Sequence, residues 1–234
     1  MLYSPSANIA FAHFPKNAGT SVFEWMTGLL PDAFHLDPGN PHLPVAAGLA
    51  ILAAEEPRPR WQTPLPPRAA ETVRIFGVVR DPFEAMVSLF EFWNRGCYRP
   101  QSFDAATGPV RPPMQMAAHE GSFFKFVDAA VRNNQFPLYE HFFDFEGPAW
   151  PRTRLIDFPN LEQGLQLVCD EFGLNPPSSL PRSNAAKSRE RSLEDYRREI
   201  GPMVIFVRNY FRWYYEFGYR IAVGRETGAP SQAA

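Results

Sequence analysis

The chain has 234 residues, 45% of them apolar and 21% charged, with a formal net charge of −2. That apolar content excludes a disordered chain, and the near-neutral balance excludes a strongly basic nucleic-acid binder. The 25 prolines are about double the usual share and have to lie in connections around the core, because proline breaks helix interiors and sheet ladders.

Residues 8–14 form an apolar run of strand length. Residues 15–19 make a turn, and residues 20–30 read as a helix with Val22, Phe23, Met26, Leu29 and Leu30 on one side. A loop over 31–44 carries His35 and His42, and a short Ala/Leu-rich helix follows over 45–55. Five prolines within 57–68 exclude regular structure there. Residues 73–79 are the clearest buried strand, and Pro82 stands in the first turn of a helix to residue 94, a position proline tolerates well. Residues 96–120 read as irregular. Helix 122–132 shows Phe123, Phe126, Val127 and Ala130 at helical spacing, and residues 153–158 read as a third strand. An amphipathic helix over 160–172 is stopped by Gly173. A Pro/Ser loop and a last helix over 202–217 complete the chain. Strand–turn–helix recurs three times, which predicts an α/β fold with a parallel sheet covered by helices on both faces. No composition break divides the chain, so a single domain over 1–234 is expected, with a disordered tail from about 225.

Cys97 and Cys169 are too few for a disulfide framework and lack metal-ligand spacing. No run reaches the ~18 apolar residues of a membrane span, and the first residues have no positive n-region, so a secretory signal is not expected. A cytoplasmic protein with no membrane span and no nucleic-acid partner follows. Only Lys16, Lys125 and Lys187 are lysines among the 23 basic residues.

Two segments carry chemistry. His13-Phe14-Pro15-Lys16-Asn17-Ala18-Gly19-Thr20-Ser21 runs from a strand into a helix. Orphan N–H groups and the helix macrodipole make such a junction an anion site. Ala18 and Gly19 let the backbone approach a phosphate, Thr20 and Ser21 add hydroxyls, and Lys16 adds a point charge. The lysine precedes the glycine, the reverse of the order in G-x-x-x-x-G-K-[ST], and no magnesium-binding aspartate is evident at a strand end. A hydroxyl-rich N-cap beside an incidental lysine is the plainer alternative. Val78-Val79-Arg80-Asp81-Pro82, with Ser88 about two turns into the next helix, sets an arginine at the end of the best strand, where open α/β sheets bind ligands. An arginine fork with a hydroxyl suits a phosphate monoester; a salt bridge from Arg80 to Asp81 or another acid is the alternative.

Together the two segments resemble the 5′-phosphosulfate loop and the 3′-phosphate motif of sulfotransferases that use 3′-phosphoadenosine 5′-phosphosulfate (PAPS). They are most similar to the carbohydrate and membrane-associated group that includes heparan sulfate 2-O-sulfotransferase and bacterial members. Arg154-Leu155-Ile156-Asp157-Phe158-Pro159-Asn160-Leu161 resembles the third strand and acidic-Asn-Leu element of that group, with Phe158-Pro159 in place of the acid. Leu180-Pro181-Arg182-Ser183-Asn184 and the terminal Phe217-Gly218-Tyr219 also look like family endings. Ala85 replaces an arginine usual five residues after the motif arginine, and Trp213 an aspartate common in the last helix.

The resemblance implies a P-loop-NTPase-like sheet and transfer of a sulfuryl group from PAPS to an acceptor hydroxyl, as on a carbohydrate or glycolipid, leaving adenosine 3′,5′-bisphosphate without a metal. It implies that Lys16 and Asn17, Ala18, Gly19, Thr20 and Ser21 hold the 5′-phosphosulfate, and that Arg80 and Ser88 hold the 3′-phosphate. It also implies a late loop whose Asn184 and Lys187 reach the nucleotide, against which stands a solvated basic helix face. His42, in Asn40-Pro41-His42-Leu43-Pro44, resembles the family's base between the two motifs, and imidazole suits that duty. His35, Asp37 and Glu24 compete with it, whereas His13 reads as a strand-end residue under the loop. A P-loop kinase or NTPase-like enzyme and a catalytically silent nucleotide-binding relative are the alternatives.

Overall fold

The computed structural model describes residues 1–54, 65–95, 103–104, 108–109, 113–175 and 191–218. In chain order the elements are β1 (Leu2–Ser4), β2 (Ile9–Ala12), α1 (Gly19–Leu29), β3 (Phe34–His35), α2 (Val45–Ala53) and α3 (Ala69–Thr72). Then come β4 (Arg74–Val79), α4 (Pro82–Asn94), β5 (Phe103–Asp104), β6 (Gly108–Pro109), α5 (Pro113–His119), α6 (Phe123–Arg132) and α7 (Tyr139–Phe142). The last are β7 (Thr153–Asp157), α8 (Leu161–Phe172), α9 (Leu193–Ile200) and α10 (Met203–Tyr210). These residues pack as two compact units, one drawn from 1–80, 139–175 and 216–218, the other from 81–138 and 191–215.

The first unit is built on a five-stranded sheet in the order β3-β1-β2-β4-β7. β2, β4 and β7 run parallel, as the three strand–turn–helix repeats require, with Ala12 opposite Gly77 and Val79 opposite Asp157. The sheet as a whole is mixed rather than parallel, because β1 and β3 add antiparallel strands at one edge. Each is only two or three residues long, below the length at which period-2 alternation is visible in a sequence.

Alternation along the strands sends side chains to opposite faces. Ile9, Phe11, Phe76, Val78 and Ile156 pack with Val22, Trp25 and Met26 of α1 and Leu165, Val168, Cys169 and Phe172 of α8. The other face takes the aromatic group Phe14, Tyr139, Phe142 and Phe143, whose ring centroids stand 4.4 to 6.2 Å from that of Phe14. Gly77 makes room for this group: a Cβ there would lie 2.2 Å from the Phe143 ring. Gly173, at φ 69°, ends α8 as its left-handed cap.

The second unit is helical around Phe83, Phe90, Phe123, Phe126 and Tyr196, packed largely edge to face. Asp81 caps α4 by accepting the Glu84 N–H at 3.1 Å, and Pro82 occupies the first helical turn. A capping box between Ser192 and Asp195 starts α9. The Glu199 carboxylate accepts from the Phe123 and Phe124 N–H groups at the start of α6 and pairs with Arg191.

Two expectations are revised here. The stretch 96–120 is not wholly irregular, since α5 and a two-residue β5–β6 ladder lie within it. The last helix stops at Tyr210, with a wider-wound turn over Tyr214–Gly218. Cys97, Asn184, Lys187 and the tail from 225 lie outside the described residues. Among the described residues, no helix is long and apolar enough to cross a membrane.

Candidate functional site

Because β2, β4 and β7 are parallel neighbours, the segments that follow them leave from one edge of the sheet. These segments are residues 13–18, Arg80, and Phe158 with Pro159. In an open α/β sheet this C-terminal edge is where ligands bind.

The loop after β2 is bent by two left-handed residues that are not glycine, Lys16 (φ 64°) and Ala18 (φ 58°). Each such residue costs on the order of 1 kcal/mol, so something has to hold the loop in place. Asn17, between them, is fully buried. Its amide donates to the Val78 carbonyl at 2.8 Å and to the Tyr139 hydroxyl at 3.0 Å, which fastens the loop to β4. The Asn17 side chain therefore faces the protein interior. Left-handed residues alternating with other conformations are the backbone geometry of anion-binding nests. Helix α1 then begins at Gly19 with no side-chain cap, so the N–H groups of Gly19, Thr20 and Ser21 have no intrahelical acceptor. Thr20 is exposed and Ser21 half-buried.

Gly19 is fixed by its neighbour. A Cβ at this position would fall 1.5 Å from Nε2 of His13, so the imidazole lies directly against the helix start. His13 is stacked on Phe11 (centroids 5.6 Å apart, planes at 18°) and its ring centre is 4.3 Å from that of His42. Burial, reinforced by His42 and by nearby charges that include Lys16, holds the His13 pKa far below the usual imidazole range. The ring is neutral, a structural floor beneath the loop.

His42 reaches the same place from the 31–44 loop. Its Nδ1 lies 3.0 Å from the His13 carbonyl oxygen. A carbonyl only accepts, so Nδ1 carries the proton and Nε2 is the basic nitrogen. Burial lowers the His42 pKa, opposed by the bond to the His13 carbonyl and assisted by Lys16 and His35. Near neutral pH the side chain is thus an unprotonated base with a fixed tautomer.

Arg80 comes from the end of β4. Tyr139 holds its backbone from both sides, donating to the Arg80 carbonyl at 2.7 Å and accepting from the Arg80 N–H at 3.0 Å. The guanidinium lies over the Phe158 ring, with Cζ 4.4 Å from the ring centre, and Nη1 is 3.5 Å from the Lys16 carbonyl oxygen. A cation–π contact of this kind steadies a guanidinium, whose planar fork of donors suits a phosphate.

Of the other sequence candidates, Ser88 is half-buried in α4, in the second unit. His35 stacks on Phe23 at 5.2 Å with planes 8° apart, and burial lowers its pKa. Asp37 accepts the Gly39 N–H at 2.9 Å in a local turn, and Glu24 is exposed on α1. The carboxylate of Asp81 serves as the α4 cap. Asp157 is the final residue of β7, so an aspartate ends one of the parallel strands. Tyr139 and Phe158 join the site only in the folded chain. Phe158 was visible only as a departure from the acidic-Asn-Leu pattern, and Tyr139 lies in no motif.

Lys16, Arg80 and the start of α1 bring cationic groups and helix N–H donors to this edge, where Asp157 ends β7, with the neutral, basic His42 beside them. Such an arrangement can hold a polyanion and take a proton from a neighbouring group. Among the described residues, no group of three or more His, Cys, Asp or Glu side chains is placed to hold a metal ion. No family model, curated protein or solved structure matches the chain.

Proposed function

We propose that this protein is a PAPS-dependent sulfotransferase of the P-loop-like class, acting in the cytoplasm on an acceptor hydroxyl such as that of a carbohydrate or glycolipid. The observation that carries the reading is the approach of Arg80 to Lys16, with Nη1 3.5 Å from the Lys16 carbonyl oxygen. The two segments that resemble the 5′- and 3′-phosphate motifs thus converge at one sheet edge.

PAPS supplies the sulfuryl group and leaves as adenosine 3′,5′-bisphosphate. On this reading, Lys16, the first-turn N–H groups of α1 and the Thr20 and Ser21 hydroxyls hold the 5′-phosphosulfate. The Arg80 guanidinium, steadied on Phe158, holds the 3′-phosphate. Lys16 neutralises charge that builds on the departing phosphate oxygen, as preorganised cations do in phosphoryl transfer. His42 takes the acceptor proton at Nε2, because Nδ1–H is committed to the His13 carbonyl. Asn17 contributes by anchoring the loop from within. Ser88, Asn184 and Lys187 stay with the family resemblance alone.

Asp157 at the end of β7 favours a second reading, magnesium-assisted phosphoryl transfer from a nucleoside triphosphate. Incubation of a panel of hydroxyl acceptors with radiolabelled PAPS, and in parallel with labelled ATP and magnesium, separates the two. Label transferred from PAPS, and lost in Lys16→Ala, supports the first reading. Label transferred only from ATP with magnesium overturns it in favour of the second.

A further inference from the structure

We infer that Tyr139 is a positioning residue that holds the two phosphate-binding segments in register, an inference that rests on the sulfotransferase reading. A phenolic hydroxyl has one proton and two lone pairs, and here each is committed to a group that belongs to the candidate site. The proton goes to the Arg80 carbonyl at 2.7 Å. The lone pairs take the Arg80 N–H at 3.0 Å and the Asn17 side-chain amide at 3.0 Å. Asn17 also donates to the Val78 carbonyl at 2.8 Å.

A single oxygen atom therefore ties the loop after β2 to the end of β4. It fixes the backbone of the residue that would grip the 3′-phosphate and the side chain of the residue between the two left-handed positions of the 5′ loop. The ring itself is held by Phe14, at 4.4 Å, and by Phe143, at 6.1 Å. Loss of the oxygen leaves that packing in place and removes only the link. The Arg80 N–H, the Arg80 carbonyl and the Asn17 amide would then lack this partner. Losing three hydrogen bonds at one oxygen removes the direct connection between the segments, so the two segments are expected to shift.

Arg80 and Tyr139 thus make different predictions. Arg80→Ala removes the proposed 3′-phosphate contact together with the guanidinium's contacts to Phe158 and the Lys16 carbonyl. It leaves the Tyr139 link between the backbone of residue 80 and Asn17 in place, whereas Tyr139→Phe loosens both ends of the cradle. The test is calorimetric titration of adenosine 3′,5′-bisphosphate, 5′-AMP and 3′-AMP into the full chain. It compares the wild type, Tyr139→Phe, Arg80→Ala and a packing control, Phe143→Leu, with the melting temperature of each variant recorded. In Tyr139→Phe, affinity for 5′-AMP and for 3′-AMP is expected to fall about tenfold each. In Arg80→Ala only the ligands with a 3′-phosphate weaken. Phe143→Leu lowers the melting temperature but leaves the affinities within a factor of about two.

If Tyr139→Phe only lowers the melting temperature and keeps wild-type affinities, the inference is wrong and the sulfotransferase reading stands. A wild type with no preference for the bisphosphate over 5′-AMP overturns that reading instead. Should Tyr139→Phe fail to fold, Asn17→Ala carries the test through the same link, read at the far end. Weakened 3′-AMP binding, at a site Asn17 does not touch, supports the inference, and unchanged 3′-AMP binding overturns it.

Discussion

Gly19→Ala should destabilise the protein even though it sits at the first position of a helix, where alanine is the better residue. The propensity gain is about 1 kcal/mol. Against it stands the His13 ring: the new methyl carbon would lie 1.5, 2.1 and 2.3 Å from its Nε2, Cδ2 and Cε1 atoms. Ordinary contacts begin near ~3.5 Å, so the ring or the helix start must move by about 2 Å. The ring has little room, being stacked on Phe11 and 4.3 Å from the ring centre of His42. Overpacking of this kind costs about 1–3 kcal/mol or more, and at this overlap the upper end applies. The net loss is about 2 kcal/mol, or roughly 4–8 °C in melting temperature for a chain of this size. Thermal unfolding followed by circular dichroism measures it. A His13→Ala background removes the obstacle, and there Gly19→Ala should be neutral or stabilising by up to ~1 kcal/mol. A neutral Gly19→Ala in the wild type, or an equal loss in both backgrounds, would refute the packing account of the loop.

His42→Gln should cut turnover by about a hundredfold or more while leaving affinity for adenosine 3′,5′-bisphosphate near the wild-type value. The wild-type pH profile of kcat/KM should rise to a plateau with its midpoint below 6.5, because burial lowers the His42 pKa from that value. Retained turnover in His42→Gln would move the base to His35, Asp37 or Glu24. The buried imidazoles also make stability depend on pH. His13 and His42 both have folded pKa values below their ordinary 6.5, so the unfolded chain binds more protons in mildly acid solution. Their contribution is intact above about 6.5 and is lost progressively as pH falls below it, by up to ~1.4 kcal/mol per pH unit for each histidine. Melting temperatures between pH 7.5 and 5 should fall accordingly, and less steeply in His13→Gln; parallel curves would contradict the assignment.

The three strand–helix units were legible because their signals are local. Apolar runs over 9–12, 74–79 and 153–157 are each followed by a turn or proline and then by apolar residues at helical spacing. The parallel pairing of β2 with β4 then brings Lys16 and Arg80 to one edge, so that juxtaposition was also within reach. The antiparallel strands β1 and β3 were not, being too short to show a period. Within the basic stretch, the alternative of a solvated helix face was legible but its bounds were not; α9 occupies Leu193–Ile200, where Glu194 pairs with Arg197 and Asp195 with Arg198. Tyr139 and Phe158 escaped for a different reason. Their roles come from sheet register, which sets Val79 beside Asp157 and so brings Phe158 beneath Arg80, and from a hydroxyl that meets residues 59 and 122 positions away. His42 was legible as a base candidate, but its tautomer depends on the His13 carbonyl, which only the folded chain supplies.

On the sulfotransferase reading proposed above, one sheet edge carries separate positions for a 5′-linked anion at Lys16 and a 3′-phosphate at Arg80. Calorimetry of the wild type with adenosine 3′,5′-bisphosphate and with 5′-AMP, in the presence and absence of magnesium, tests it without any need to know the acceptor. The bisphosphate should bind at least about tenfold more tightly, as a charged hydrogen-bonded contact is worth. The preference should not require magnesium and should disappear in Arg80→Ala. Equal affinity for the two nucleotides, or a preference that survives Arg80→Ala, would contradict the account.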